Sequence, residues 1–131
     1  MIILKSKLKV IDNSGADFVE CIKIYKKKQN GLLGDYILVV VQKLSYKRLG
    51  LKKIKKSKLI KKGTLFKGLI VQLKKPSKRF DGNQIIFNKN SVLLLNNQLN
   101  LVGTRISGIL PLEILLLKDN KKYVSLAPII L

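Results

Sequence analysis

Runs of β-branched and aliphatic residues only a few positions long, each ended by Gly, Asp, Asn or Ser, constrain this chain to short strands. From Leu8 to Asp12 apolar and polar residues nearly alternate, and Asp12-Asn13-Ser14-Gly15 follows as turn chemistry. Val19 to Tyr25 and Tyr36 to Val41 carry the same signature, with Gly31, Gly34 and Asp35 between them as breakers. Thr64 to Leu73, Gln84 to Phe87 and Ser91 to Leu95 continue it. Strands of this length and spacing predict a mainly β fold, a small closed barrel. The Asp81-Gly82 pair favours a tight hairpin turn, which predicts a protruding ribbon with basic arms. Beyond Gly103, Leu112 to Leu117 is expected to turn helical after Pro111, although its leucines lack a clear period. With no repeat and no linker, residues 1–131 read as one domain.

Charge decides what such a barrel meets. The chain has 27 basic and 7 acidic residues, a formal net charge of +20, so its compact state repels itself unless a polyanion supplies counter-charge. Its hydrophobic share of 47% is that of a folding chain and not of a disordered basic tail. The bases recur from Lys5 to Lys122 and are not gathered on one amphipathic segment, which favours nucleic acid over a membrane surface. Only Arg48, Arg79 and Arg105 are arginines, and the remaining bases are lysines. An ammonium suits phosphate, whereas reading a guanine edge wants the arginine fork. With no Trp and only 4 Phe and 4 Tyr, the chain also lacks the run of aromatic platforms that single-strand binders use. Folded RNA, recognised by shape and phosphate, is the expected partner.

Several classes fall away on residue content. Asn90 to Thr104, the longest stretch without charge, is rich in amides and too short to span a bilayer, so no transmembrane segment or membrane partner is expected. The first strand pattern begins so early that no cleavable leader is expected ahead of it. Cys21 is the single cysteine, which rules out an internal disulfide and predicts a buried strand thiol in a reducing compartment. Without histidine the chain has neither the usual zinc sets nor a His-activated nucleophile, so no metal, no cofactor and no enzymatic activity are expected. Asp12, Asp35, Asp81 and Asp119 sit beside Gly or Asn, where Asp commonly bonds its own backbone. Asp17 and Glu20 belong to a solvated strand face and not to an acid–base pair. Gly63-Thr64 follows two lysines but lacks the upstream glycine of a nucleotide loop.

What remains is a set of basic clusters. Lys23, Lys26, Lys27 and Lys28 form the first; Lys43, Lys47, Arg48, Lys52, Lys53, Lys55, Lys56, Lys58, Lys61 and Lys62 the second; Lys74, Lys75, Lys78 and Arg79 the third. An ordinary solvated surface mixes both signs, yet Lys43 to Phe80 contains no acid. These residues are therefore the candidates for phosphate contact.

At this level of detail the chain resembles a known family, the bacterial-type large-subunit ribosomal protein fourteen, over nearly its whole length. The matching segments are Asp12-Asn13-Ser14-Gly15-Ala16, Cys21-Ile22-Lys23, Gly34-Asp35, Lys61-Lys62-Gly63 and Gly68-Leu69-Ile70-Val71. Asp81-Gly82, Phe87, Asn90, Leu94-Leu95-Asn96-Asn97, Gly103-Thr104-Arg105-Ile106 and Ser125-Leu126-Ala127-Pro128 continue them in order. The resemblance implies a five-stranded barrel with a ribbon and short C-terminal helices. It also implies binding to large-subunit rRNA at the subunit interface, contact with the neighbouring ribosomal proteins three and nineteen, and a bridge to small-subunit rRNA. A ribosome-silencing factor docks on the family's exposed face, and Thr104 and Arg105 match that face. The chain departs from the family pattern at Lys43 to Ile60, read as a basic loop inserted within 44–60, and at Gly108-Ile109-Leu110-Pro111, which displaces a proline. Ala occurs only at positions 16 and 127 while Lys, Ile and Asn abound, a mark of an AT-rich gene. Together these features predict an organelle-encoded copy working in the ribosome of the mitochondrial matrix, with a plastid-type organelle or a bacterial cytoplasm as alternatives.

Overall fold

The runs of β-formers become β1 (Lys7–Val10), β2 (Ala16–Ile24), β3 (Tyr36–Leu44), β4 (Leu65–Gln72), β5 (Ser77–Lys78), β6 (Gln84–Ile85) and β7 (Ser91–Leu95). This computed structural model describes residues 1–26, 29–45, 60–116 and 121–131. The expected inserted loop, including Lys47, Arg48, Lys52, Lys53, Lys55, Lys56 and Lys58, therefore lies outside the described residues, as do Lys27, Lys28 and Asp119.

Strands β1, β2, β3, β4 and β7 hydrogen-bond in that order and close into a barrel. Neighbours are antiparallel except at the seam, where β7 returns alongside β1 in parallel, with Lys9 opposite Ser91 and Val10 opposite Val92. Closure removes the unpaired edges that an open sheet would offer to other chains. Register shifts between Cys21 and Lys23, and between Ile70 and Gln72, bend the strands enough to close so small a ring.

Two apolar clusters hold the fold. Leu8, Val10, Val19, Cys21, Ile37, Val39, Val41, Ile70, Val92 and Leu94 fill the barrel interior. Leu69, Val71, Leu93 and Leu95 point the other way, and Ile106, Leu110, Ile114 and Tyr123 of the C-terminal segment cover them. Both faces of β4 from Gly68 onward and of β7 are thus buried, which is why Leu69-Ile70-Val71 and Val92-Leu93-Leu94-Leu95 read as continuous apolar runs instead of alternating. Each such side chain contributes about 1.5–3 kcal/mol over leaving it in water.

Beyond the barrel the regular elements are shorter than the sequence suggests. The expected ribbon is reduced to the two-residue pair β5–β6 around the Asp81-Gly82 turn, where Gly82 has a φ of +87°. Where short C-terminal helices were expected there is one 3₁₀ turn, Leu112–Leu116, and a six-residue helix α1, Lys121–Leu126. The cause is tethering: β8 (Ile109–Leu110) pairs in parallel with β9 (Ile129–Ile130), and Ile114 and Tyr123, which lie between them in the chain, pack on the barrel wall. A 3₁₀ segment is rarely sustained beyond one such turn.

Candidate nucleic-acid interface

Register places the lysines at both ends of the barrel. At one end β2 stops, β3 starts and β4 runs out, which gathers Lys23, Lys26, Lys74 and Lys75. At the other end β3 stops and β4 starts, and Gly63 N donates to Val41 O at 2.8 Å, so Lys43 stands near Lys61 and Lys62. All seven are exposed, and so is Lys78 on β5. Lys26 takes a left-handed φ of +65°, which turns the backbone sharply just after β2.

Arg79 has a different setting from its neighbours. Its Nε donates to Glu113 Oε1 at 2.9 Å, its Nη2 to Glu113 Oε2 at 3.4 Å, and Nη2 also reaches the Leu131 carbonyl. The guanidinium holds the Glu113 carboxyl below the usual carboxylate range, its hydrogen bond outweighing the opposing effect of burial. Arg79 thereby ties β5 to the 3₁₀ turn and to the last strand, and its charge is answered within the protein.

The acids are likewise occupied. Asp12, almost wholly buried, accepts hydrogen bonds from Ser14 N at 3.0 Å, from the Ser14 hydroxyl and from Leu94 N at 3.1 Å. Asp35 Oδ2 accepts from Leu32 N at 2.9 Å, and Asp81 Oδ1 from Asn83 N at 3.0 Å, the backbone roles expected of Asp in turns. Lys9 Nζ lies 3.7 Å from Asp17 Oδ1, and Gln42 Nε2 donates to Glu20 Oε2 at 3.1 Å. Every carboxylate among the described residues has a partner inside the protein, and the two ion pairs seen among those residues, Lys9–Asp17 and Arg79–Glu113, involve none of these exposed lysines.

Lys5, Lys7 and Lys89 are exposed as well and were not picked out from the sequence. Each stands outside the dense basic runs, and only the parallel seam between β1 and β7 brings their strand starts together. Among the described residues no group of His, Cys, Asp or Glu could hold a metal ion, and no helix is long and apolar enough to cross a membrane.

Thr104 and Arg105 form a separate exposed site on the loop after β7. Asn13 Oδ1 accepts from both backbone amides, at 2.7 Å from Thr104 N and 3.0 Å from Arg105 N, and Asn13 N donates to Arg105 O at 3.2 Å. A Cβ on Gly103 would stand 2.7 Å from Asn13 Oδ1 and 3.2 Å from Asn13 N, so only glycine lets the loop lie this close. Ser107 closes the seam by donating to Ile11 O from both its amide and its hydroxyl, each at 2.7 Å. The Asp12-Asn13-Ser14-Gly15 turn therefore shapes a loop far along the chain, a role that its turn chemistry did not disclose.

The chain is 39% identical over 128 residues to the large ribosomal subunit protein uL14m of Schizosaccharomyces pombe (strain 972 / ATCC 24843), covering 98% of each chain. This relative and the family that the chain matches are ribosomal structural proteins, not enzymes. The family model described as ribosomal protein L14p/L23e matches residues 1–131, and the chain belongs to that family.

Proposed function

We propose that this chain is a structural constituent of the large subunit of a mitochondrial ribosome, seated on large-subunit rRNA by lysine–phosphate contacts. The observation that carries the proposal is the family match across residues 1–131, joined by the likeness to uL14m over 98% of the chain. The chemistry agrees: ammonium groups at both barrel ends, with no free carboxylate among the described residues, would crosslink segments of a folded polyanion. Lys27, Lys28, Lys47, Arg48, Lys52, Lys53, Lys55, Lys56 and Lys58 add to the same positive charge and are further candidates for RNA contact.

The finer assembly follows the family resemblance. The barrel lies at the subunit interface, contributes to a bridge with small-subunit rRNA, and touches ribosomal proteins three and nineteen. Thr104 and Arg105, exposed on a loop stapled by Asn13, are the docking point for a ribosome-silencing factor. A loop held by its backbone and by the Asn13 bond to the Thr104 hydroxyl, with the Arg105 side chain exposed, is suited to reversible binding, because little order must be gained on docking.

Sedimentation of the tagged chain from lysed mitochondria tests the proposal. It should travel with the large subunit and stay there through moderate salt. Recovery at the top of the gradient, or with lipid, would overturn it.

A further inference from the structure

Where β2 ends and β3 begins, Tyr25 N donates to Tyr36 O at 3.2 Å, which sets the two tyrosines side by side across the strands. With Lys67 and Leu99 they line a shallow recess of about 190 Å³. That is smaller than the roughly 300–1,000 Å³ of sites for larger ligands, and it suits one small planar group. Both rings are half-buried, so each is fixed by packing and still presents surface. Tyr36 and Leu99 rest on the outer apolar cluster. Leu99 is held in a left-handed conformation, φ +64°, with its carbonyl accepting from Tyr123 Oη at 2.9 Å, so the floor of the recess is braced.

The rim is cationic. Lys67 Nζ donates to Asn97 O at 3.3 Å, Lys23 Nζ stands 5.9 Å from the centroid of the Tyr25 ring, and Lys26 follows Tyr25 directly. Asp35, next to Tyr36, is turned onto the Leu32 amide. Aromatic surface ringed by ammonium groups is the combination that receives an unstacked nucleobase while its phosphates meet the cations.

We propose that the Tyr25–Tyr36 recess takes a single unstacked base of rRNA, so that this chain grips RNA at one point by stacking as well as by charge. The inference rests on the rRNA-binding reading above and deepens it.

Two probes separate base from phosphate: an oligouridine carrying 4-thiouridine, and inorganic polyphosphate, which has charge but no base. Photocrosslinks from the full chain should map to Tyr25 or Tyr36. Tyr25→Leu should weaken oligouridine binding roughly five- to a hundredfold, the worth of a stacked base, while leaving polyphosphate binding unchanged. Tyr25→Phe should restore the oligouridine affinity. Crosslinks that avoid both tyrosines would overturn the proposal even if Tyr25→Leu proved unstable, since they are read on the unaltered chain. An unchanged oligouridine affinity in Tyr25→Leu, or an equal loss for both probes, would overturn it too. Failure of the unaltered chain to bind either probe would instead sink the rRNA reading, and this inference with it.

Discussion

Asn13 and Thr104, 91 residues apart in the chain, share two hydrogen bonds: Asn13 Oδ1 accepts from the Thr104 amide at 2.7 Å, and Asn13 Nδ2 donates to the Thr104 hydroxyl at 2.8 Å. With the bond from the Arg105 amide, one side chain fixes the loop that carries the candidate docking residues. Asn13→Ala should therefore cost about 1–2 kcal/mol, each of these partly solvated bonds being worth about 0.5–1.5 kcal/mol singly and not adding fully. Amide exchange at Thr104 and Arg105 should quicken in the same variant. Thr104→Val, which keeps the backbone bond, should cost less. Exchange rates unchanged in Asn13→Ala would contradict the staple.

Arg105 is exposed, and its backbone carries its contacts to Asn13. Arg105→Ala should change stability by less than about 0.5 kcal/mol, as substitutions at exposed positions do. Binding of a silencing factor should nevertheless fall. A variant that melts well below the native chain would show that the side chain is structural.

The Arg79–Glu113 pair makes a pH-dependent contribution of known sign. Glu113 titrates below its ordinary range in the folded chain, chiefly because Arg79 donates to it, so the pair stabilises above the unfolded-state carboxyl value of about 4.3. That stabilisation is lost as pH falls through the lowered folded value. Glu113→Gln should therefore melt below the native chain at neutral pH, and the two curves should converge in acid. A gap that persisted at low pH would point to packing instead of charge.

Cys21 lies in the barrel interior with no exposed surface, and burial pushes its thiol up from the ordinary value. Both effects suppress the thiolate. A thiol reagent should modify the folded chain far more slowly than the urea-unfolded one. Rapid labelling of the folded chain would mean that the barrel opens readily.

Much of this was legible in the sequence where the physics is local. Ser91 to Leu95 is a strand in both readings, and Asp81-Gly82 makes its turn, because β-branched runs and turn residues act within a few positions. Closure was expected, but not the parallel seam of Lys9 with Ser91, since register between distant strands depends on packing that no short window contains. The short C-terminal helices were less legible because the leucines from Leu112 to Leu117 lack a clear period, and Leu112–Leu116 forms a 3₁₀ turn that lies between β8 and β9 in the chain. In the candidate interface, Lys74 and Lys75 lie exposed as expected, whereas Arg79, one residue after Lys78 in the same basic run, is spent on Glu113. Its partner stands 34 positions away, which a count of charges along the chain cannot see.

The most direct test of the central claim is the salt dependence of binding between this chain and its segment of large-subunit rRNA. Lysine–phosphate contacts release condensed counterions, so the logarithm of affinity should fall steeply and linearly with the logarithm of salt, by about 0.7–0.9 per phosphate neutralised. Lys74→Gln and Lys75→Gln should each lower that slope by about 1, while Arg79→Gln should leave it nearly unchanged because its charge is already answered by Glu113. A flat response, or a slope indifferent to the exposed lysines, would contradict the account.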